Sequence, residues 1–351
     1  MINKLPNWLN AKGHESDIVI SSRVRLARNI DNLMFPHQMA TEDKDNLIDS
    51  VKETISSSSF IKNAGEMKLS KMDELSGLDR EFLLEKHLIS PNMLDQYHNR
   101  GIVLGLDESI SILINEEDHF RIQSFFSGLN LQDAYIIADK VDDALEKFYS
   151  YAYHEKYGYL TSCPTNIGTG VRFSVMMHLP ALSMTGGLKE VQRSLKLDGF
   201  VIRGFFGEGS EGYGSLYQIS NQFTIGVKEE DIMIGLEKRI NDIIIKEKES
   251  REHLFKQKNY EIQDMIYRAF GNIRYSILLT AKEGMNNVSL IRLGLERGLP
   301  FEVDIDYQQL NNLIVLAQNA GLQSYFGKMM STDERNRMRP RLFKEILKIG
   351  G

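Results

Sequence analysis

CPTNIGTGVRFSVMMHLP, residues 163–180, is the stretch on which the reading of this chain turns. Pro164, Gly168 and Gly170 punctuate its first half as a loop. The preceding YGYLTS (157–162) reads as a strand entering that loop. From Val171 the apolar continuation fits a strand or a helix, and its pattern alone does not choose. Upstream, SISILINEEDHF (109–120) alternates, with Ile110, Ile112 and Ile114 on one face. That predicts a strand with one buried side that runs into an acidic turn. Downstream, GFVIRGFFGEGSEGYGSLYQISN (199–221) reads as strand, glycine-rich loop, strand. A polar stretch from about Thr41 to Ser59 has helical spacing. Strands separated by helical segments predict an α+β domain.

The composition changes after about Gly226. VKEEDIMIGLEKRINDIIIKEKESREHLF (227–255) sets Leu236, Ile240, Ile243 and Ile244 at helical spacing among charges. Helical periodicity continues to the end, as in Leu310, Leu313 and Leu316. In the tail, Ser331 or Thr332 can cap a helix whose first turn holds Asp333 and Glu334. Pro340 is expected to kink or restart it. The chain has 351 residues, enough for two domains. The boundaries expected are 1–250 and 251–351.

One cysteine, Cys163, excludes an internal disulfide framework and a cysteine-rich zinc site. His154-Glu155 begins like a zincin helix but lacks the second histidine, and no metal ligands are assigned. The net charge of −6 does not suggest direct nucleic-acid binding. No apolar run suits a signal peptide or a membrane span, so a cytoplasmic protein is expected. Gly207-x-Gly209-x-x-Gly212 matches a nucleotide glycine pattern, but it does not open a βαβ unit, and H-R-D and D-F-G elements are missing. Arginines offer another route to phosphate. Arg23 and Arg25 in SSRVRLARN (21–29) point the same way on an extended segment. Arg121 follows Glu117 by four, one helical turn. Arg172 follows a glycine loop, and Arg203 ends a strand before Glu208. Several arginines can cage a triphosphate without a P-loop.

SSRVRLARN, INEEDHFRIQ (114–123), CPTNIGTGVRFSVMMHLP and IRGFFGEGSE (202–211) together resemble the phosphagen, or guanidino, kinases. They occur in that family's order, and CPTNIGT is similar to its active-site signature. The layout resembles the bacterial protein arginine kinases, because the first arginine block begins at Ser21 and about a hundred residues follow the catalytic region. KHLISP (86–91) and GEGSE (207–211) look like the same branch. The resemblance implies an antiparallel sheet flanked by helices, with an all-α C-terminal domain. It implies transfer of the γ-phosphoryl of ATP, with Mg2+, to arginine side chains. A small-molecule arginine kinase and a non-catalytic phosphoarginine-binding scaffold are the alternatives.

Residue by residue, the resemblance implies ATP contacts at Ser21, Ser22, Arg23, Val24 and Arg25, at His87 and at Arg121. It implies them also at Arg172, Phe173, Ser174, Val175 and Met176, and at Arg203, Gly204, Phe205, Phe206, Gly207 and Glu208. Glu117 and Glu208 match the two guanidinium ligands, and Cys163 the cysteine beside them. A guanidinium is a poor nucleophile, being delocalised and protonated. Two carboxylates can grip it and one can take its proton, with Glu117 the favoured base. Nearby arginines would favour a Cys163 thiolate and make it sensitive to oxidation. In the tail, Arg335, Asn336, Arg337 and Arg339 partly match a phosphoarginine-binding motif, with Asn336 and Pro340 departing from it. The resemblance further implies a homodimer, a zinc-binding activator protein, a stress-gene repressor as substrate, and a Clp-type chaperone-protease downstream.

Overall fold

The computed structural model describes residues 5–205 and 213–350. Its strands are β1 Val19–Arg28, β2 Met67–Lys71, β3 Gly101–Gly105, β4 Ile110–Ile114, β5 Phe120–Ser127, β6 Tyr153–His154, β7 Gly158–Tyr159, β8 Val171–His178, β9 Phe200–Gly204 and β10 Leu216–Asn221. Its first seven helices are α1 Thr41–Ser56, α2 Ser58–Ala64, α3 Gly77–Glu85, α4 Pro91–Asp95, α5 Leu131–Glu146, α6 Pro180–Thr185 and α7 Leu188–Leu197. Six more follow the sheet: α8 Glu229–Gln257, α9 Asn259–Tyr275, α10 Ala281–Glu296, α11 Tyr307–Leu316, α12 Asn319–Phe326 and α13 Thr332–Ile346.

Eight strands form one antiparallel sheet in the order β2-β3-β4-β5-β1-β8-β10-β9. Side chains alternate across it. Val24, Leu26, Ile122, Phe173, Val175 and Ile219 face a core closed by α1, α5, α7 and α8. Leu236, Ile240, Ile243 and Ile244 of α8 belong to that core, as their spacing predicts. A second core joins Trp8, Leu9, Ile102, Leu104 and Leu113 to α3, α4 and the helices from α9 onward. The C-terminal helices are therefore packed onto the sheet.

Several local readings change. β4 is buried on both faces, because Ser111 is hidden as well: it donates to the Leu88 carbonyl and accepts from Gln123. The expected strand before Cys163 shrinks to β7, half of a two-residue hairpin with β6. The open segment after Gly170 resolves into β8 and the short helix α6. Pro340 does not break α13. Proline has no N–H for the Asn336 carbonyl, and the backbone N–H of Leu279 donates to it instead at 2.9 Å. Ser331 caps that helix reciprocally with Glu334.

Candidate active site

Strand register assembles the arginines. Arg25 of β1 lies opposite Arg172 of β8 and Gln123 of β5, while Ala27 lies opposite Arg121. Arg203 of β9 stands across from Gln218 of β10. Side chains directly opposite share a face, so Arg23, Arg25, Arg121, Arg172 and Arg203 all rise from the face away from the α5–α8 core. They line one cavity of about 660 Å³. Burial, with the charges of Arg121 and Arg172, pulls Arg23 down to about 10. Burial and then its arginine neighbours also lower Arg25 and Arg172. Among the described residues, the buried Nε groups of Arg25 and Arg172 have no hydrogen-bond acceptor. Clustered cations with unmet donors fit a polyanion such as a triphosphate.

Three of these arginines, Arg25, Arg121 and Arg172, also border a smaller pocket of about 110 Å³. Its other walls include Glu117, Cys163, Thr165 and Asn166. Glu117 and Arg121 do pair, at 2.9 Å, although no helix joins them. Glu117 sits in the turn before β5, and Arg121 is the second residue of that strand. Arg121 also pairs with Glu116 at 2.7 Å, and Glu116 accepts from Ser90. Asp118, which sequence reasoning passed over, ties this turn to the cysteine loop. Its Oδ1 accepts from Asn29 at 2.6 Å and from the Ser162 N–H at 2.7 Å. Cys163 caps a short turn at Pro164–Asn166, with its Sγ 3.0 Å from Thr165 Oγ1.

His87 forms the opposite wall of the large cavity, with φ of 61° in the left-handed region. That backbone costs on the order of 1–3 kcal/mol for a residue with a side chain, and such strain clusters at functional positions. Burial, reinforced by Arg23, holds the imidazole down at about 3, so it is neutral at ordinary pH. The Phe205 ring meets it edge-on at 5.0 Å. Glu85, Gln318 and Asn319 complete the wall, the last two from the start of α12. Burial pushes Glu85 up to about 7, even though it accepts from Ala320 N at 2.9 Å and Gly321 N at 2.7 Å. No local pattern announces these residues, because the contact crosses more than 230 positions (|i−j| of 235 and 236).

Some expected contacts are not made by side chains. Val24, Phe173 and Val175 point into the α5–α8 core, and Ser22 hydrogen-bonds Gly128 and Asn130. Alternation makes this unavoidable beside Arg23, Arg25, Arg172 and Ser174, so Ser22, Val24, Phe173 and Val175 can offer only backbone. Ser21, Ser174 and Met176 do share the arginine face, around Arg23 and His87. Gly204 ends β9 behind Arg203. Phe206, Gly207 and Glu208 lie outside the described residues. Of the tail group, Arg337 is exposed. Arg339 is 1% exposed and donates to Ala317 O, Leu279 O, Asn336 Oδ1 and Asn319 Oδ1. Arg335 donates to Met330 O and Thr332. Arg339 thus braces the turn before α12, and its donors are engaged within the chain.

The ATP:guanido phosphotransferase C-terminal catalytic domain matches residues 46–250, and the Protein-arginine kinase McsB C-terminal domain matches 259–350. The chain is 42% identical over 347 residues to the protein-arginine kinase of Clostridium acetobutylicum, covering 98% of this chain and 100% of that one. The chain belongs to the protein-arginine kinase family. A second member, from Halalkalibacterium halodurans, is 42% identical, covering 97% of this chain and 95% of that one. The duplicated taurocyamine kinase of Schistosoma mansoni, solved with transition-state-analogue components, superposes with a TM-score of 0.61 at 27% identity. That match covers 71% of this chain and 35% of that one. A lombricine kinase shares the fold at a TM-score of 0.57 and 22% identity, over 70% of this chain and 71% of that one. The chain is therefore a phosphotransferase of the ATP:guanido family that acts on arginine. No helix among the described residues is long and apolar enough to cross a membrane.

Proposed function

We propose that the kinase binds the ATP triphosphate on Arg23, Arg25, Arg121, Arg172 and Arg203. The acceptor guanidinium would then lie between Glu117 and Cys163, with Glu208 as second carboxylate. The juxtaposition of the arginine cavity and the Glu117–Cys163 pocket across Arg25, Arg121 and Arg172 carries this reading. It sets the acceptor beside the transferring phosphoryl, so one nitrogen can approach the γ-phosphorus in line. Such positioning is worth about 7–11 kcal/mol at best. Arg121 engages one oxygen of Glu117 and leaves the other to accept from the acceptor and take its proton. The remaining arginines neutralise charge as it spreads over the phosphoryl oxygens. His87, held neutral, suits the nucleoside end, with Ser21, Ser174, Met176 and the backbone of Arg203 to Phe205 beside it.

Mg2+ would enter on the nucleotide. Among the described residues no three His, Cys, Asp or Glu converge on one point, whereas a phosphate-borne ion needs few protein ligands. Bound there, it would neutralise phosphate charge. The acceptor is an arginine side chain of a protein, in line with the relatives' name. The wider reading rests on resemblance: a cytoplasmic homodimer, a zinc-binding activator, a stress-gene repressor among the substrates, and Clp-type degradation of the marked proteins. The reading also divides the chain near residue 250, within α8, into catalytic and helical parts.

Radiolabelled ATP tests the acceptor. Label should pass to an unfolded arginine-containing protein as acid-labile phosphoarginine, with free arginine a poorer acceptor by at least about a hundredfold, or roughly 2.7 kcal/mol. Equal use of free arginine would point to a metabolite kinase.

A further inference from the structure

A second groove, of about 520 Å³, begins where the acceptor pocket ends. It shares Thr165 and Arg172 with that pocket and Arg203 with the nucleotide cavity. Its rim is the turn after β10, where Phe223 is 63% exposed and Ile225 52%. These two large apolar side chains stand together beside a charged site, on a loop that is pinned. Thr224 Oγ1 donates to the carbonyls of Thr165 and Ile167, at 3.1 and 2.7 Å. The Thr169 N–H returns a bond to Thr224 O at 3.1 Å. Asn221 Nδ2 donates to Phe223 O at 3.1 Å, while its Oδ1 accepts from Phe173 N. A Cβ on Gly168 would sit 2.3 Å from the Thr224 carbonyl, so the two loops touch backbone to backbone. The loop that carries Cys163 and the loop that carries Phe223 therefore form one body, and the groove is already shaped.

We propose that this groove seats the polypeptide on either side of the acceptor arginine, with an apolar neighbour of that arginine packed on Phe223 and Ile225. The inference rests on the reading of the Glu117–Cys163 pocket as the acceptor site. An arginine guanidinium stays tethered to its backbone by a stem of three methylenes, so a polypeptide that delivers it there must cross the pocket mouth. The residues next to it then fall where the groove continues from Thr165. Apolar contact is what Phe223 and Ile225 supply, and Arg172 and Arg203 at the groove edge disfavour a flanking Lys or Arg. Arginines exposed by unfolding, with core residues beside them, meet this description; arginines on a native polar surface do not. The substrate class is thus polypeptide in which arginine adjoins apolar sequence.

Two synthetic peptides test it, each with one arginine in a Ser/Gly background, flanked on both sides by Leu in one and by Ser in the other. The wild type should favour the Leu peptide by about tenfold or more in kcat/KM, through KM. The exposed double variant Phe223→Ser/Ile225→Ser should bring that ratio to about one, with the KM for ATP and the rate on the Ser peptide unchanged. Equal use of the two peptides by the wild type would overturn the proposal, as would discrimination that survives in the variant. A changed molecular mass of the variant in sedimentation would make the groove a contact between copies instead, and would also overturn it. If the wild type phosphorylated no arginine in any polypeptide, the acceptor reading itself would fail, and the groove with it.

Discussion

Cys163 and Glu117 show how single residues acquire a role here. Neither stands out in isolation, since one is a lone thiol and the other is one of 48 acidic residues. The Asp118 bridge to Ser162 and Asn29 sets them in one pocket wall. If that pocket takes the acceptor as proposed, the thiol should orient it and respond to oxidants. Cys163→Ser should lose about tenfold or more in kcat and become insensitive to peroxide. Full activity with unchanged peroxide inhibition would remove Cys163 from the chemistry. Arg23 and Arg25 were legible at this scale because parity on an extended strand needs only two positions of separation. Asp118 was not, because what it holds, Ser162, lies 44 positions away.

Elements were legible where the core they face is a single continuous stripe. α8 follows its apolar spacing, and α13 begins at the capping serine that its sequence displays. They were illegible where a partner from elsewhere decided the outcome. Ser111 reads as solvent-facing until Leu88 and Gln123 cover it, and Pro340 reads as a break until the Leu279 N–H donates to the Asn336 carbonyl that proline leaves free. Glu247 of α8 is another such partner. Its carboxylate accepts from Ala181 N and Leu182 N at the start of α6 and from Arg251 at 2.8 Å, all buried. Glu247→Ala would strip α6 of that cap and leave Arg251 with its longer pairs to Asp17 and Glu296, at 3.7 and 3.8 Å. Removal of one partner of a buried pair costs about 3–5 kcal/mol. Chemical denaturation should register a loss in that range, and a change below about 1 kcal/mol would mean the pair contributes little.

In the molecule as a whole, the C-terminal helices line the arginine cavity as well as pack onto the sheet. Gln318 and Asn319 line it, and Arg339 holds their turn in place. Glu85 is another tie between the halves. Its folded carboxyl is raised to about 7 from an ordinary 4.5, chiefly by burial. A raised carboxyl releases its proton more readily in the unfolded chain. The wild type should therefore lose stability relative to Glu85→Gln as pH rises from about 4.5 to 7, and level off above that. Urea midpoints at pH 5 and pH 8 measure the difference; a gap that stays constant would mean that Glu85 is not buried as described.

If Glu117 serves the acceptor and the arginines serve the nucleotide, one substitution should separate the two. Isothermal titration of ATP, paired with phosphoarginine formation on a protein substrate, separates the two in Glu117→Gln. ATP affinity should stay within about threefold of wild type while the transfer rate falls by at least about a thousandfold, roughly 4 kcal/mol at the transition state. Loss of ATP affinity as large as the loss of transfer, or transfer at the wild-type rate, would contradict that division of roles.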